Sequence, residues 1–463
     1  MRDIRPLVAP RSIAVIGAST NAQKSGGVLF HNLVRGGFAG PLYPINPNAA
    51  EVMGRKAYAS LADVPEHVDL VYIVLPRDHV ETAVTQCIAA GARAASIITA
   101  GFAEASEAGR VDQERIRAMA RGAGLLLGGP NTIGMVNAEC GMMGSFVNFP
   151  RWETGGVSLF TQTGIFTGAL MLGVMSAETQ RLPVGKSIDV GNKIDVDELD
   201  FLDFVADDPG TSVIGFYIET ILRPAAFLAR AKQIRGSKPI VMLKPGRTAD
   251  GARASLAHTG SRESLTDSER DALDAAIAEA GIIRVADEHE FVDTLRTLAY
   301  APRPKGRRVA VATTSGALGV MTTDLVVEAG LTLSTFAPAT VARMRTILPD
   351  WLPPENPFDF WIGIDVKGPR EAHEVGLDAV MADPNTDMVL ATLLAPGNAD
   401  FPEFGALIRR LRKEHDKPIV LAIYGGAARE RWIRDIEGAG VPVLRTSREA
   451  ARALALLAAA AAV

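Results

Sequence analysis

Among seven histidines, His258 has the neighbours that a reacting ring needs. It lies in Gly251-Ala252-Arg253-Ala254-Ser255-Leu256-Ala257-His258-Thr259-Gly260-Ser261, after the apolar run Pro239–Leu243 and Lys244-Pro245-Gly246-Arg247. Small neighbours let an imidazole stand clear of the backbone and let a loop move. A neutral ring is nucleophilic near neutral pH and can carry a phosphoryl group. A lone loop histidine can equally be solvent-facing and inert. The others (His31, His67, His79, His289, His373 and His415) lie mostly among charged or helical residues, where surface placement is the default. Glu219 ends the apolar run Val213–Ile218, and a carboxylate there is costly to bury without a partner. It could orient the His258 ring, as carboxylates orient catalytic imidazoles, or sit exposed at the strand rim.

Two further places could hold anions. Val15-Ile16-Gly17-Ala18-Ser19-Thr20 ends a strand, and Gly26-Gly27 precede the helical pattern Val28–Arg35. A glycine turn opening onto a helix start offers free N–H groups to a phosphate, though Gly17 could serve only a tight connection. The G-x-G-x-x-G spacing is absent, and the next strand ends in Ile45-Asn46-Pro47, without the acidic residue that binds an NAD ribose. A nucleotide-like ligand other than NAD is therefore expected. Thr161-Gln162-Thr163-Gly164 follows the strand Gly156–Phe160 and opens another helix, as a second anion site or a simple N-cap.

The elements that position these residues are short apolar runs alternating with helical stretches. Ser12–Gly17, Leu42–Asn46, Asp69–Leu75, Ala95–Thr99 and Leu125–Leu127 form a first set. Gly156–Phe160, Ser187–Val190, Val213–Ile218, Pro239–Leu243 and Ile282–Val285 form a second. Arg308–Thr313, Met388–Leu393, Pro418–Ile423 and Val443–Leu444 form a third. Runs without polar alternation suit strands buried on both faces of a parallel sheet, which makes the fold class α/β. Breaks near Gly129-Pro130-Asn131 and in the proline-bearing stretch 301–308 divide the chain into expected domains at 1–128, 129–301 and 306–463.

A net charge of -5 gives no global attraction to nucleic acid. No stretch reaches the roughly 18 apolar residues of a membrane span. The start lacks a signal-peptide pattern, and two cysteines, Cys87 and Cys140, offer neither a disulfide framework nor a cysteine-ligated metal. A cytoplasmic protein without a metal site of its own is expected.

The stretch Pro10–Ser19, with Gly36-Gly37-Phe38-Ala39-Gly40-Pro41-Leu42-Tyr43-Pro44-Ile45-Asn46-Pro47, resembles the CoA-binding domain of ADP-forming acyl-CoA synthetases. Their α subunits are relatives of succinyl-CoA synthetase. The resemblance covers essentially the whole chain and implies a Rossmann-like CoA-binding domain followed by two flavodoxin-like domains. It implies coenzyme A at Gly17, Ala18, Ser19, Asn46, Pro47, Leu75, Pro76, Thr99, Gly101 and Phe102. His258 becomes the phosphorylated residue, with Ala257 where relatives often have Ser, and Glu219 its orienter. Asn131, Thr161, Gln162, Thr163, Gly164, Gly191, Asn192 and Lys193 border phosphate and acyl group. Thr161-Gln162-Thr163-Gly164 stands where the family usually has Ser-Gln-Ser-Gly. Thr313–Gly319 stands where relatives carry a denser glycine run in the third domain.

The resemblance also implies ADP or ATP with magnesium on a separate ATP-grasp β subunit, since no such segment is found in the chain. An α2β2 assembly and a small carboxylic acid substrate complete that expectation. The rival reading is a CoA sensor that kept the fold without turnover.

Overall fold

The strand β1 (Ile13–Ile16) is buried at every residue, as its unbroken apolar run requires. Its structure, a computed structural model, describes residues 2–148, 154–165, 168, 182–259, 265–395, 401 and 403–461, with backbone alone for 256–259. By internal contacts the chain forms two units: residues before 177 with Pro183–Ala286, and Asp287–Val463. Within the first unit, β1 is flanked by β2 (Leu42–Ile45) and β3 (Leu70–Ile73), followed by β4 (Ala94–Ile97) and β5 (Leu126–Gly128). The order is β2-β1-β3-β4-β5, all parallel. The chain leaves β1 in one direction and β3 in the other, so a crevice opens at their carboxyl ends.

A second sheet in the same unit contains β6 (Gly134–Asn137), β7 (Met142–Ser145), β8 (Val157–Thr161), β9 (Val184–Asp189), β10 (Val213–Tyr217), β11 (Ile240–Leu243) and β12 (Ile283–Val285). Its order is β12-β11-β10-β8-β9-β6-β7. β6 runs antiparallel to β9 and to β7; the other pairs are parallel. Tilted and edge-on contacts among Phe160, Phe201, Phe216 and Phe227, with centroids 5.2–5.8 Å apart, fill the space between this sheet and its helices. The β6–β7 hairpin is not anticipated by apolar runs. Its strands are four residues each, carry Gly134 and Gly144, and turn at Gly141 with φ 70°.

The second unit holds a sheet of order β14-β13-β16-β17-β18, built from β13 (Arg308–Thr313), β14 (Thr332–Leu333), β16 (Met388–Leu394), β17 (Ile419–Tyr424) and β18 (Val443–Leu444), with β15 (Phe358–Asp359) pairing β13. The alanine-rich tail forms the helix Ser447–Ala461, with Ala450, Leu454 and Leu457 buried. The helix Glu288–Tyr300 packs against it. Buried Arg296 on that helix pairs with Asp293 and Glu437. This unit therefore begins ahead of the proline-bearing stretch 301–308.

His373 corrects the expectation of a surface ring. It is 1% exposed, its Nδ1–H donates to the Pro369 carbonyl at 2.6 Å, and Phe360, Phe401, Phe404 and Trp432 surround it. No described helix is long and apolar enough to cross a membrane.

Candidate functional site

Gly17 follows β1 with φ 90°, and a Cβ there would stand 2.1 Å from the Val74 carbonyl oxygen. Only glycine allows that approach. A Cβ on Gly26 would meet the Gly17 carbonyl at 2.0 Å, so the turn and the helix Ser25–Arg35 are pressed together by three backbones. No side chain caps the helix start, which leaves first-turn donors for a ligand. They face a cavity of about 900 Å³ at the crevice, lined by Gly17, Ala18, Ser19, Asn46, Pro47, Leu75, Pro76 and Thr99. That size lies within the roughly 300–1,000 Å³ typical of ligand pockets. Lys24, Asn48, His79, Gln86 and Phe146 also line it and were not singled out from sequence.

The cavity's polar wall is itself braced. Asn46 Nδ2 donates to the Ala18 carbonyl at 2.8 Å while its Oδ1 accepts from the Asn48 N–H at 2.8 Å. Asn46 therefore holds the glycine turn in place. Thr99 Oγ1 donates to the Leu75 carbonyl at 2.6 Å. Gly101 and Phe102, expected here, are not among the residues lining this cavity. Phe102 is buried beneath the Arg77 guanidinium, and the Gly101 N–H donates to Glu104 at 2.6 Å.

The loops at 129–134 and 190–195 interlock beyond Thr99. The Asn131 N–H reaches the Thr99 carbonyl at 2.9 Å, and the Asn192 N–H reaches the Pro130 carbonyl at 3.0 Å. Asn131 Nδ2 donates to Asn192 Oδ1 at 3.4 Å. Asn192 Nδ2 donates to Glu104 and to Gln113 Oε1, the latter at 3.0 Å, so its amide joins the two sheets' loops. Gly191 has φ 49°, and a Cβ would lie 2.1 Å from the Pro130 carbonyl.

Lys193 adopts φ 53°, a conformation costing about 1–3 kcal/mol in a non-glycine residue. Its ammonium donates to Glu198 Oε2 at 2.9 Å and to the Thr220 carbonyl, with both charged side chains essentially sealed from water. Glu198 in turn accepts from the Leu222 and Arg223 N–H groups. This pair ties the 190–195 loop to the end of β10, where Glu219 stands.

Gln162 makes the corresponding connection from β8. Its Oε1 accepts from the Glu219 and Thr220 N–H groups at 3.0 and 3.2 Å, and its Nε2 donates to Thr220 Oγ1 at 3.3 Å. Thr161 is buried, Thr163 is half-buried and Gly164 is the first helical residue beyond them. A Cβ on Gly164 would meet Ile133 at 2.6 Å.

The segment around His258 is helical, Ala249–Thr259, where a loop was expected. Ala252, Arg253, Ala254, Leu256 and Ala257 are strong helix formers, and their propensity outweighs the small-residue signal. The His258 ring lies outside the described residues. Ser255, three positions earlier and so on the same helix face, donates through Oγ to Glu219 Oε2 at 2.8 Å. Tyr217 donates to Glu219 Oε1 at 3.4 Å, and burial together with that carboxylate pushes the phenol's pKa up. Glu219 is 6% exposed and well supplied with partners, so it is not a free rim residue. Lys244 donates to the Glu219 carbonyl at 2.9 Å. Burial, then the Arg284 guanidinium, push its ammonium down to about 8. Ser255, Lys244 and Glu198 were not singled out from sequence. Their only local signals were the three-residue spacing to His258, the strand-end position after Leu243, and the five-residue spacing from Lys193.

The comparisons with known proteins agree with this architecture. Residues 11–138 match a CoA binding domain, and residues 154–298 match a succinyl-CoA ligase like flavodoxin domain. The chain is 35% identical over 426 residues to the ADP-forming acetate–CoA ligase II of Archaeoglobus fulgidus, covering 91% of this chain and 62% of that protein. It is 30% identical over 448 residues to the α subunit of ADP-forming acetate–CoA ligase II of Pyrococcus furiosus, covering 96% and 95%. The dinucleotide forming acetyl-coenzyme A synthetase 1 of Ca. Korarchaeum cryptofilum, solved in complex with phosphate and ADP, superposes with a TM-score of 0.90 at 30% identity, covering 100% of this chain and 97% of that one. Sequence and structure together place this chain in the ADP-forming acyl-CoA ligase family, within the succinyl-CoA synthetase superfamily.

Proposed function

We propose that the chain is the CoA-binding, phosphoryl-carrying subunit of a reversible acid–CoA ligase: acyl-CoA, phosphate and ADP give carboxylate, CoA and ATP. The observation that carries this reading is the Ser255–Glu219 hydrogen bond, which fastens the helix bearing His258 beside Gln162 and the Thr161–Gly164 turn. Coenzyme A fits the first cavity by the closeness of its backbone walls at Gly17 and Gly26, where added side-chain atoms would collide. When bound there it supplies a thiol for the acyl group.

Each step then uses this chain's groups. Asn131 and the Thr161–Gly164 turn hold phosphate against the thioester carbon; an oxygen–carbon bond forms, the carbon–sulfur bond breaks, and CoA leaves. The His258 ring attacks phosphorus of the resulting acyl phosphate, and the carboxylate departs as the phosphorus–oxygen bond breaks. Glu219 orients the ring and balances its developing charge. Fixed N–H donors at helix starts stabilise charge without reorganisation, the usual source of the largest barrier reduction.

The phosphoryl group passes from His258 to a nucleoside diphosphate with magnesium on an ATP-grasp β subunit. The α-subunit relative supports a partner, and α2β2 is the arrangement we infer for a cytoplasmic enzyme. The test uses the chain with that partner, radiolabelled ATP and magnesium. An acid-labile label that disappears in His258→Ala supports the ligase. Tight CoA binding without any label supports a sensor instead.

A further inference from the structure

Asp189, the last residue of β9, is 2% exposed, and its carboxylate reaches two loops at once. Oδ2 accepts from the Ile133 N–H at 2.8 Å and lies 2.9 Å from Thr132 Oγ1. Oδ1 accepts from the Gly191 N–H at 3.3 Å. The Thr132 hydroxyl also lies 2.7 Å from the Asp189 carbonyl oxygen, so its one proton is divided between two acceptors of the same residue. Its oxygen accepts from the Gly134 N–H at 2.9 Å. Asp189 thus ties the 129–134 loop to the 190–195 loop.

Both loops need such a brace. Asn131 has φ 60° in one, and Lys193 has φ 53° in the other. Backbone of this kind persists only where its surroundings over-determine it. Thr132 and Ile133 follow Asn131 directly, so the two donors fixed on Asp189 set the course of the chain as it leaves Asn131. Across the sheet, Asp189 stands beside Thr161 in the β8–β9 register, and the Val190 N–H donates to the Thr161 carbonyl at 2.9 Å. One carboxylate therefore sits where Asn131, the Gly191–Asn192 turn and the Thr161–Gly164 turn converge. Sealing a charge there is costly unless fixed donors receive it, and bonds to a charged acceptor are about twice as strong as neutral ones.

We propose that Asp189 is a positioning residue for inorganic phosphate, holding Asn131 and the Gly191–Asn192 turn in the register at which both meet one oxyanion. The role rests on the ligase reading and adds to it a group that touches no substrate itself. Asp189 is not among the residues lining the first cavity, so its loss should act on phosphate and not on CoA. Asp189→Asn keeps the volume but turns one oxygen into an amide NH2, which then faces a donor of one loop or the other.

The test is phosphate-dependent release of CoA by the chain with its β partner, ADP and magnesium, using whichever of acetyl-CoA and butyryl-CoA the wild type cleaves faster. Asp189→Asn should raise the KM for phosphate about tenfold, the effect of one charged hydrogen bond, with a smaller change in kcat and CoA affinity unchanged by calorimetry. Thr132→Val should shift the phosphate KM in the same direction, and the double variant should lose little more than Asp189→Asn alone. Thr132→Val carries the test by itself if Asp189→Asn does not fold. A lowered melting temperature with a wild-type phosphate KM overturns the positioning role, as does an equal loss of affinity for phosphate and CoA. A wild type that cleaves neither thioester overturns the ligase reading and this role with it. An active wild type whose variants keep its phosphate KM overturns this role alone.

Discussion

Ser255 Oγ donates to Glu219 Oε2 across 2.8 Å, joining a helix to the end of a strand 36 residues earlier. Glu219 is thereby fixed from one side by the helix that carries His258, and along its backbone by Gln162 and Lys244. A carboxylate held in this way can orient a ring without itself needing to move.

Removing that anchor should slow phosphoryl transfer. A hydrogen bond to a charged group contributes about 1.5–3 kcal/mol, so Ser255→Ala should reduce the rate of His258 labelling by about tenfold or more. Glu219→Gln, which keeps shape but loses charge, should cost at least as much. Rapid-quench phosphorylation measures both. Unchanged rates in the two variants would falsify the orienting role.

Gly17→Ala should weaken the first cavity's ligand binding. The added Cβ collides with the Val74 carbonyl and occupies an unfavourable positive φ. Calorimetric titration with CoA should show a loss of about tenfold or more in affinity, or roughly 1.4 kcal/mol. Far-ultraviolet circular dichroism should remain native, since the strand and helix on either side persist. Wild-type affinity in this variant would remove CoA from this crevice.

Lys193→Met should be strongly destabilising, because it strands Glu198 in a place closed to water. Breaking one partner of a buried ion pair costs about 3–5 kcal/mol. Urea unfolding should show the first unit's transition at lower denaturant. The double variant Lys193→Met/Glu198→Gln should recover part of the loss, which a purely steric effect would not produce.

His373 makes the second unit acid-sensitive. Burial pushes its ring down to about 4, below the ordinary 6.5 of an unfolded histidine. The unfolded chain therefore takes up the proton first as pH falls. The contribution is complete above about 6.5, declines through that range, and is lost as pH approaches 4; the difference is on the order of 3 kcal/mol. Thermal unfolding between those pH values should show a steeper decline for the wild type than for His373→Phe. Parallel curves would contradict it.

Much of the fold can be read locally. β1, β3, β10 and β17 are uninterrupted apolar runs, and burial on both faces leaves little alternative for such segments. The β6–β7 hairpin escaped because four-residue strands containing glycine carry almost no periodic signal. The histidine helix escaped for another reason: small residues suit both a mobile loop and a helix, and alanine favours the helix.

The linear chain by itself determined the glycine turn after β1, the candidate nucleophile and the acid at the end of β10, because backbone freedom and side-chain chemistry belong to single residues. Tertiary structure decided which of those groups have partners. It directed the Asn192 amide toward Glu104 and Gln113, set Phe102 beneath Arg77 and the Gly101 N–H on Glu104, buried Lys193 against Glu198, and left Lys244 without a described ion-pair partner. Hydrogen bonds and charge pairs depend on distances of a few ångströms between residues far apart in sequence, and only the packed sheets set those distances.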